Sequence, residues 1–248
     1  MLPEIDDKFA ELKQKYGADS LNRVEAMMYA KPSERDPLQE DAKWVMPGLS
    51  DGGWLDKNQF EGLKPVVAAL ESNSAKIKHE VLDMMNNQPD KMQQYDHYIV
   101  SNNEWQAYYL VKDGEPTADT GEVPTTRGIL NNELKDWICP LLEMHFSVLA
   151  PGVTIPPHCD LWNFSINLHL AIDIPNEKPS DCGIKVAGET RGWTEGECLL
   201  FDYSYQHEAW NKSDKTRVCL LMDVWHPDLT LVEREALTFF ITEIRKYM

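Results

Sequence analysis

The feature that most constrains this chain is a single change of hydrophobic period near Tyr95. Ahead of it, Ile5, Phe9, Leu12 and Tyr16 fall on one helix face. Leu63, Val66, Val67, Leu70, Ile77, Val81 and Met84 then predict a helix of several turns that ends before Asn86-Asn87 and backs a sheet. Beyond it, β-branched and aromatic runs at 98–100, 105–111, 144–149, 164–174, 183–186, 198–201 and 217–225 are parted by Pro, Gly, Asn and Asp clusters. Many short strands broken in this way imply a sandwich or jelly roll. The chain closes on a helix marked by a Thr230/Glu233 capping box and by Val232, Ala236, Phe239, Phe240 and Ile244. The expected fold is mainly β with flanking helices.

With 248 residues the chain can bury one sizeable core, so a single catalytic domain is expected. Residues 31–43 (KPSERDPLQEDAK) combine two prolines with many charges and no apolar period, and read as a loop. Residues 1–45 are therefore taken as an N-terminal helical extension and loop, and 46–248 as the domain proper with its supporting helices. A net charge of −17 repels nucleic acid backbones and anionic lipid, so neither nucleic acid nor membrane is expected as a partner. The N-terminus lacks the basic and apolar regions of a secretory signal, and no run reaches membrane-spanning length. Cys139, Cys159, Cys182, Cys198 and Cys219 are odd in number and never form a CxxC pair, which suits reduced thiols in a cytoplasmic protein. The oligomeric state leaves no mark on the sequence.

The sharpest chemical signal is Pro156-Pro157-His158-Cys159-Asp160. On an extended backbone the outer two residues of H-x-D project the same way and Cys159 points away. His207, far downstream, can supply a third ligand from a strand returning alongside. Two imidazoles and one carboxylate on one face of an octahedral ion leave three positions open, the arrangement of non-haem iron(II) oxygenases. H-x-D alone is short enough to arise by chance, and Arg217 adds the second clue. It opens an apolar strand, where its charge needs a partner, either one of the 41 acids or the distal carboxylate of a cosubstrate.

Taken together, Phe146-Ser147, His158, His169, Gly196 to Phe201 (GECLLF), His207-Glu208-x-Trp210, Arg217 and Asp223-Val224-Trp225-His226-Pro227 resemble the aspartyl/asparaginyl β-hydroxylase family of iron(II)- and 2-oxoglutarate-dependent dioxygenases. Weaker similarity runs through Pro47-Gly48-Leu49, Trp54, Leu70-Glu71, Glu80 and residues 105–114, so the likeness covers roughly residues 46–236. The resemblance implies a double-stranded β-helix, a cupin-like jelly roll, that uses Fe(II), 2-oxoglutarate and O2. It makes His158 and His207 iron ligands, with Arg217, Ser147 and His169 on the 2-oxoglutarate carboxylate. Two departures stand out. The animal enzymes acting on epidermal-growth-factor-like domains have glycine where this chain has Asp160, so here a full His158, Asp160, His207 triad is expected. Their Arg-x-Arg substrate clamp is replaced by Ser165 and Asn167, which removes the cations that select an acidic side chain.

The alternation of Ile166, Leu168, Leu170 and Ile172 with Ser165, Asn167 and His169 sets a polar row on one strand face, lining either a pocket or solvent. Ser165, Asn167, Trp162 and His145 are the candidate substrate contacts. Asp202 and Glu208 flank His207 and either orient it or face solvent, whereas His226 reads as a capping residue. The expected activity is hydroxylation of a C–H bond in a free amino acid, or in an amino-acid residue of a peptide or carrier-bound intermediate, releasing succinate and CO2. Two alternatives stay open: a non-catalytic jelly roll that senses a metal or small acid, and an oxidase of the same cofactor giving desaturation or cyclisation.

Overall fold

A computed structural model of the protein describes residues 2–31, 33, 35–95, 104–140, 142–175 and 178–247. The strand expected at 98–100 lies outside these residues. In chain order the elements are α1 (Pro3–Tyr16), α2 (Asn22–Tyr29), β1 (Trp54–Leu55), α3 (Lys64–Ser72), α4 (Ser74–Asn87), β2 (Gln93–Gln94), β3 (Trp105–Lys112), β4 (Glu115–Pro116) and α5 (Pro124–Ile129). They continue through β5 (Met144–Leu149), β6 (Val153–His158), β7 (Ser165–Asp173), β8 (Cys182–Val186), β9 (Glu189–Arg191), β10 (Cys198–Phe201), β11 (His207–Asn211) and β12 (Arg217–Trp225) to α6 (Leu231–Ile244).

Strands β5 to β12 define the architecture, because the chain alternates between two antiparallel sheets as it goes. The larger sheet runs β1-β10-β7-β12-β5-β3-β2, with β4 paired to β3, and the smaller runs β6-β11-β8-β9. Two stacked sheets fed alternately by one chain are a jelly roll, the double-stranded β-helix expected from sequence. The first crossing, from β5 to β6, is made at Pro151-Gly152. Proline presets the first turn position and Gly152, at φ 75°, supplies the positive φ required at the second.

The larger sheet is buried on both faces, which explains its near-continuous apolar strands. Its outer face (Phe146, Ile166, Leu168, Leu220, Met222) packs beneath Leu70, Ile77 and Val81 of α3 and α4. Its inner face looks across the barrel at the smaller sheet. Where one helix was expected, α3 and α4 are separate: Asn73 leaves helical geometry and its Nδ2 donates to the Ala69 carbonyl (2.8 Å), taking a bond from the helix ladder. The N-terminal extension joins a second core cluster, the one that fills the barrel side. Ile5, Phe9 and Leu12 of α1 and Val24 and Met27 of α2 are buried in one cluster with Ala236, Leu237 and Phe240 of α6. Tyr16, expected on that face, ends its helix and stands 47% exposed. The α6 capping box forms as read, Thr230 and Glu233 exchanging both bonds. All five cysteines are free. No helix among the described residues is long and apolar enough to cross a membrane.

Candidate metal centre and its pocket

His158 ends β6, His207 begins β11, and the antiparallel register sets them opposite each other. Cross-strand partners lie on one face, and the two ring centroids are 4.1 Å apart. A register shift between His207 and Ala209 breaks the regular pairing at this strand end. Asp160 stands past the end of β6, in a loop folded back by its own N–H, which donates to the Tyr203 carbonyl (2.9 Å). Its Oδ2 is 3.5 Å from His207 Nε2. One ligand atom from each of the three residues lies within 4.8 Å of the others.

Local hydrogen bonds fix which nitrogen faces inward. A carbonyl only accepts, so His158 Nδ1 donates to Pro156 O and His207 Nδ1 to Tyr205 O, each at 2.9 Å. Nε2 of each ring therefore carries the lone pair. Burial first, then the neighbouring His207, lowers the His158 pKa, so the neutral, metal-binding form is favoured. Two imidazoles and a carboxylate converging in this way fit a divalent first-row metal such as iron(II). Of the two readings left open for Asp202 and Glu208, orienting His207 is taken over by the backbone carbonyls. Glu208 instead pairs with Lys185 (3.1 Å), and Asp202 is buried with Oδ1 accepting from Ser204 N (2.9 Å). Cys159 points away, toward Leu38 O (3.6 Å), and His226 caps the turn at Ser50 and Asp228.

At the other end of the pocket Arg217 is 2% exposed. Its Nη2 donates to Ser147 Oγ (3.2 Å), its guanidinium lies over Trp193 (4.8 Å to the ring centre), and its Nε has no hydrogen-bond partner. A buried guanidinium with a donor to spare calls for an anion. Ser147 Oγ also accepts from Trp105 Nε1 (2.8 Å), so its own proton remains to be given to a ligand. His169 lines the same cavity as Arg217 and Ser147. Its Nδ1 accepts from Trp193 Nε1 (3.4 Å), which leaves Nε2 to donate to Asn167 Oδ1 (2.5 Å). Through Trp193, which stacks on His169 and lies under Arg217, it also braces the clamp. The Phe201 ring packs against both His169 and His207 and separates the two ends.

Of the polar row on β7, Asn167 and His169 line the cavity and Ser165 does not. The Ser165 hydroxyl is enclosed between Tyr203 OH and Trp162 Nε1, so it holds Trp162 in place where a substrate contact was expected. Trp162 itself forms part of the wall, stacked on Phe164. His145 is fully buried behind Tyr95, outside the lining. The cavity, ≈ 270 Å³, contains the triad, Ser147 and Arg217, together with Tyr95, Glu143 and Asp223, to which the sequence assigned no site role. Glu143 and Asp223 share the inward parity of Ser147 and Arg217 on their strands, and an acid at such a position in an apolar strand was the available signal.

Residues 38–44 are closely engaged with the centre. Leu38 O accepts from Gln206 N (2.6 Å), Gln39 Nε2 donates to Ser204 Oγ (2.7 Å), and Lys43 N and Trp44 N both donate to Leu161 O. The extension thus straps the two segments that carry Asp160 and His207.

The profile of the aspartyl/asparaginyl β-hydroxylase family matches residues 71–227. The mouse aspartyl/asparaginyl β-hydroxylase is 30% identical over 191 residues, covering 77% of this chain and 25% of that protein. An ornithine lipid ester-linked acyl 2-hydroxylase of Rhizobium tropici is 42% identical over 83 residues, 33% of this chain and 29% of that one. A solved Pseudomonas putida prolyl-4-hydroxylase overlays with a TM-score of 0.43 at 12% identity, over 64% of this chain and 98% of that one. The chain spans about a quarter of the length of the mouse protein.

Proposed function

Because the chain belongs to the aspartyl/asparaginyl β-hydroxylase family, we propose that it is an iron(II)- and 2-oxoglutarate-dependent hydroxylase acting on a free amino acid, or on an amino-acid residue of a peptide or carrier-bound intermediate. The observation that carries this reading is the pairing, in one cavity, of the His158, Asp160, His207 cluster with the buried and incompletely partnered Arg217. Iron(II) bound by the triad would supply oxygen activation coupled to decarboxylation of 2-oxoglutarate to succinate, with insertion of oxygen into a C–H bond.

The chain's own residues do the orienting. Pro156 and Tyr205 carbonyls hold both imidazoles in the tautomer that presents Nε2. Arg217 and the Ser147 hydroxyl would take the distal carboxylate of 2-oxoglutarate by charge-assisted hydrogen bonds, fixing its length along the cavity. Ile155, Ile184, Phe201 and Leu221 line the space between and keep water from the reacting centre. The test is a succinate-release screen with iron(II) and 2-oxoglutarate over amino acids and short peptides. Release stimulated by a substrate in the parent protein and lost in His207→Ala supports the reading. Release undiminished in that variant contradicts it.

A further inference from the structure

The connection from β9 in the smaller sheet to β10 in the larger one carries a tryptophan, Trp193, that is 1% exposed. Connections ordinarily run over the surface, and an indole is seldom enclosed completely. The loop is pegged to β7: Gly196 N donates to Ala171 O (2.9 Å) and Ala171 N to Glu197 O (3.0 Å), with Gly196 at φ 84° in the turn. Ala171 stands two residues along β7 from His169. The peg thus sets the indole behind the cavity wall, under the Arg217 guanidinium and beside His169, with Trp193 itself outside the lining.

An indole nitrogen only donates, so Trp193 Nε1 gives a direction to the bonds that follow it. Its N–H goes to His169 Nδ1 (3.4 Å), the two rings parallel to within 9°. Burial first, then Arg217, holds the His169 pKa well below the ordinary histidine range, so the ring is neutral and its single proton sits on Nε2. That proton goes to Asn167 Oδ1 (2.5 Å), which turns the amide so that Asn167 Nδ2 donates to Asp223 Oδ1 (2.7 Å). The far end of the chain has no fixed sense of its own, because a carboxyl group accepts when ionised and donates when protonated. Without the indole N–H, His169 can carry its proton on Nδ1 and accept from a turned-over Asn167.

We propose that Trp193 is a positioning residue for the pocket: its ring seats the Arg217 guanidinium, and its N–H sets the direction in which His169, Asn167 and Asp223 pass their hydrogen bonds. The guanidinium carbon lies 4.8 Å from the ring centre, so the fork rests on an aromatic face while Nη2 reaches Ser147. Asn167 lines the cavity, and the direction of the chain decides which end of its amide lies toward Asp223, the N–H end as the bonds run. The effect of the ring on 2-oxoglutarate rests on the function proposed above; the direction of the protons does not.

Nitrogen-15 NMR of the histidine-labelled chain, with and without diamagnetic zinc(II), reads the proton on His169, whose signals are assigned by their loss in His169→Gln. The parent is expected to hold the Nε2–H tautomer between about pH 6 and 8. Trp193→Phe, which keeps a ring but no N–H, should admit the Nδ1–H form. Anaerobic titration of the iron(II)-loaded protein reads the ring: Trp193→Leu should raise the half-saturating 2-oxoglutarate concentration roughly tenfold with iron(II) affinity unchanged, and Trp193→Phe should recover most of that loss. A charged or Nδ1–H His169 in the parent, an unaltered tautomer in Trp193→Phe, or parent-like 2-oxoglutarate affinity in Trp193→Leu overturns the proposal. Equal loss in both variants accompanied by weaker iron(II) binding, the mark of general disruption, overturns it as well. Failure of 2-oxoglutarate to bind the parent would sink the function proposed above and is read separately, since the tautomer is measured without it.

Discussion

The two sheets divide the pocket between them and hold their shares by different means. The larger sheet carries Ser147, Asn167, His169, Arg217 and Asp223 on long strands buried on both faces, joined by hydrogen bonds that run from Trp193 through His169 and Asn167 to Asp223. The smaller sheet carries the two histidines at strand ends, where β6 alternates between buried and exposed residues. Backbone carbonyls and the strap from the N-terminal extension hold them there. The Arg217 end is thus built into the core, while the triad end depends on loops and, where a metal is bound, on the metal itself. A buried network of this kind is expected to hold its shape with nothing bound, and strand ends to stiffen on binding.

The largest effect that could break this division is at His207. Replacing His207 or His158 by alanine should abolish metal binding and turnover while leaving 2-oxoglutarate's distal anchor intact, which metal titration and circular dichroism would check. Next is Arg217→Ala, expected to raise the 2-oxoglutarate requirement by roughly a hundredfold with metal affinity nearly unchanged. A large drop in metal affinity in that variant would show that the two ends are not separable.

Asp202 sharpens the comparison through stability. It is 1% exposed, Oδ2 has no hydrogen-bond partner, and burial pushes its pKa from 3.8 up to about 7. The folded protein therefore holds this proton more tightly than the unfolded chain, and the contribution of this group to stability falls as pH rises from about 4 to about 7. Asp202→Asn, which keeps the oxygen bonded to Ser204 N, should be more stable than the parent by roughly a few kcal/mol at pH 8, with the gap closing toward pH 4. Denaturant melts at the two pH values read it. The smallest effect is at the strap: Gln39→Ala removes one buried hydrogen bond, about 1 kcal/mol, and should weaken metal binding several-fold without altering 2-oxoglutarate affinity.

The same contrast governs what was legible in the sequence. Runs 144–149, 198–201 and 217–225 match β5, β10 and β12 residue for residue, because strands buried on both faces write near-continuous apolar runs. Strands β6 and β11 left no such run: Thr154, Pro156 and Pro157, or Glu208 and Trp210, interrupt them, and only the ligands betrayed their place. The triad was readable because H-x-D spacing and a distant histidine carry chemistry whatever the burial. What fixes those ligands was not, since backbone carbonyls such as Tyr205 O have no side-chain signature. The split at Asn73 turns on a side-chain bond to Ala69 four residues back, which the apolar period does not register, and the strap at Gln39 on a partner far off in sequence.

One measurement addresses the central claim most directly. Anaerobic addition of 2-oxoglutarate to the iron(II)-loaded protein should produce the visible charge-transfer absorption of a metal-chelated 2-oxo acid. The account predicts saturable absorption in the parent, none in His207→Ala, and a much higher half-saturating concentration in Arg217→Ala. Absence of the band in the parent, or its persistence in His207→Ala, would contradict the site assigned to His158, Asp160 and His207.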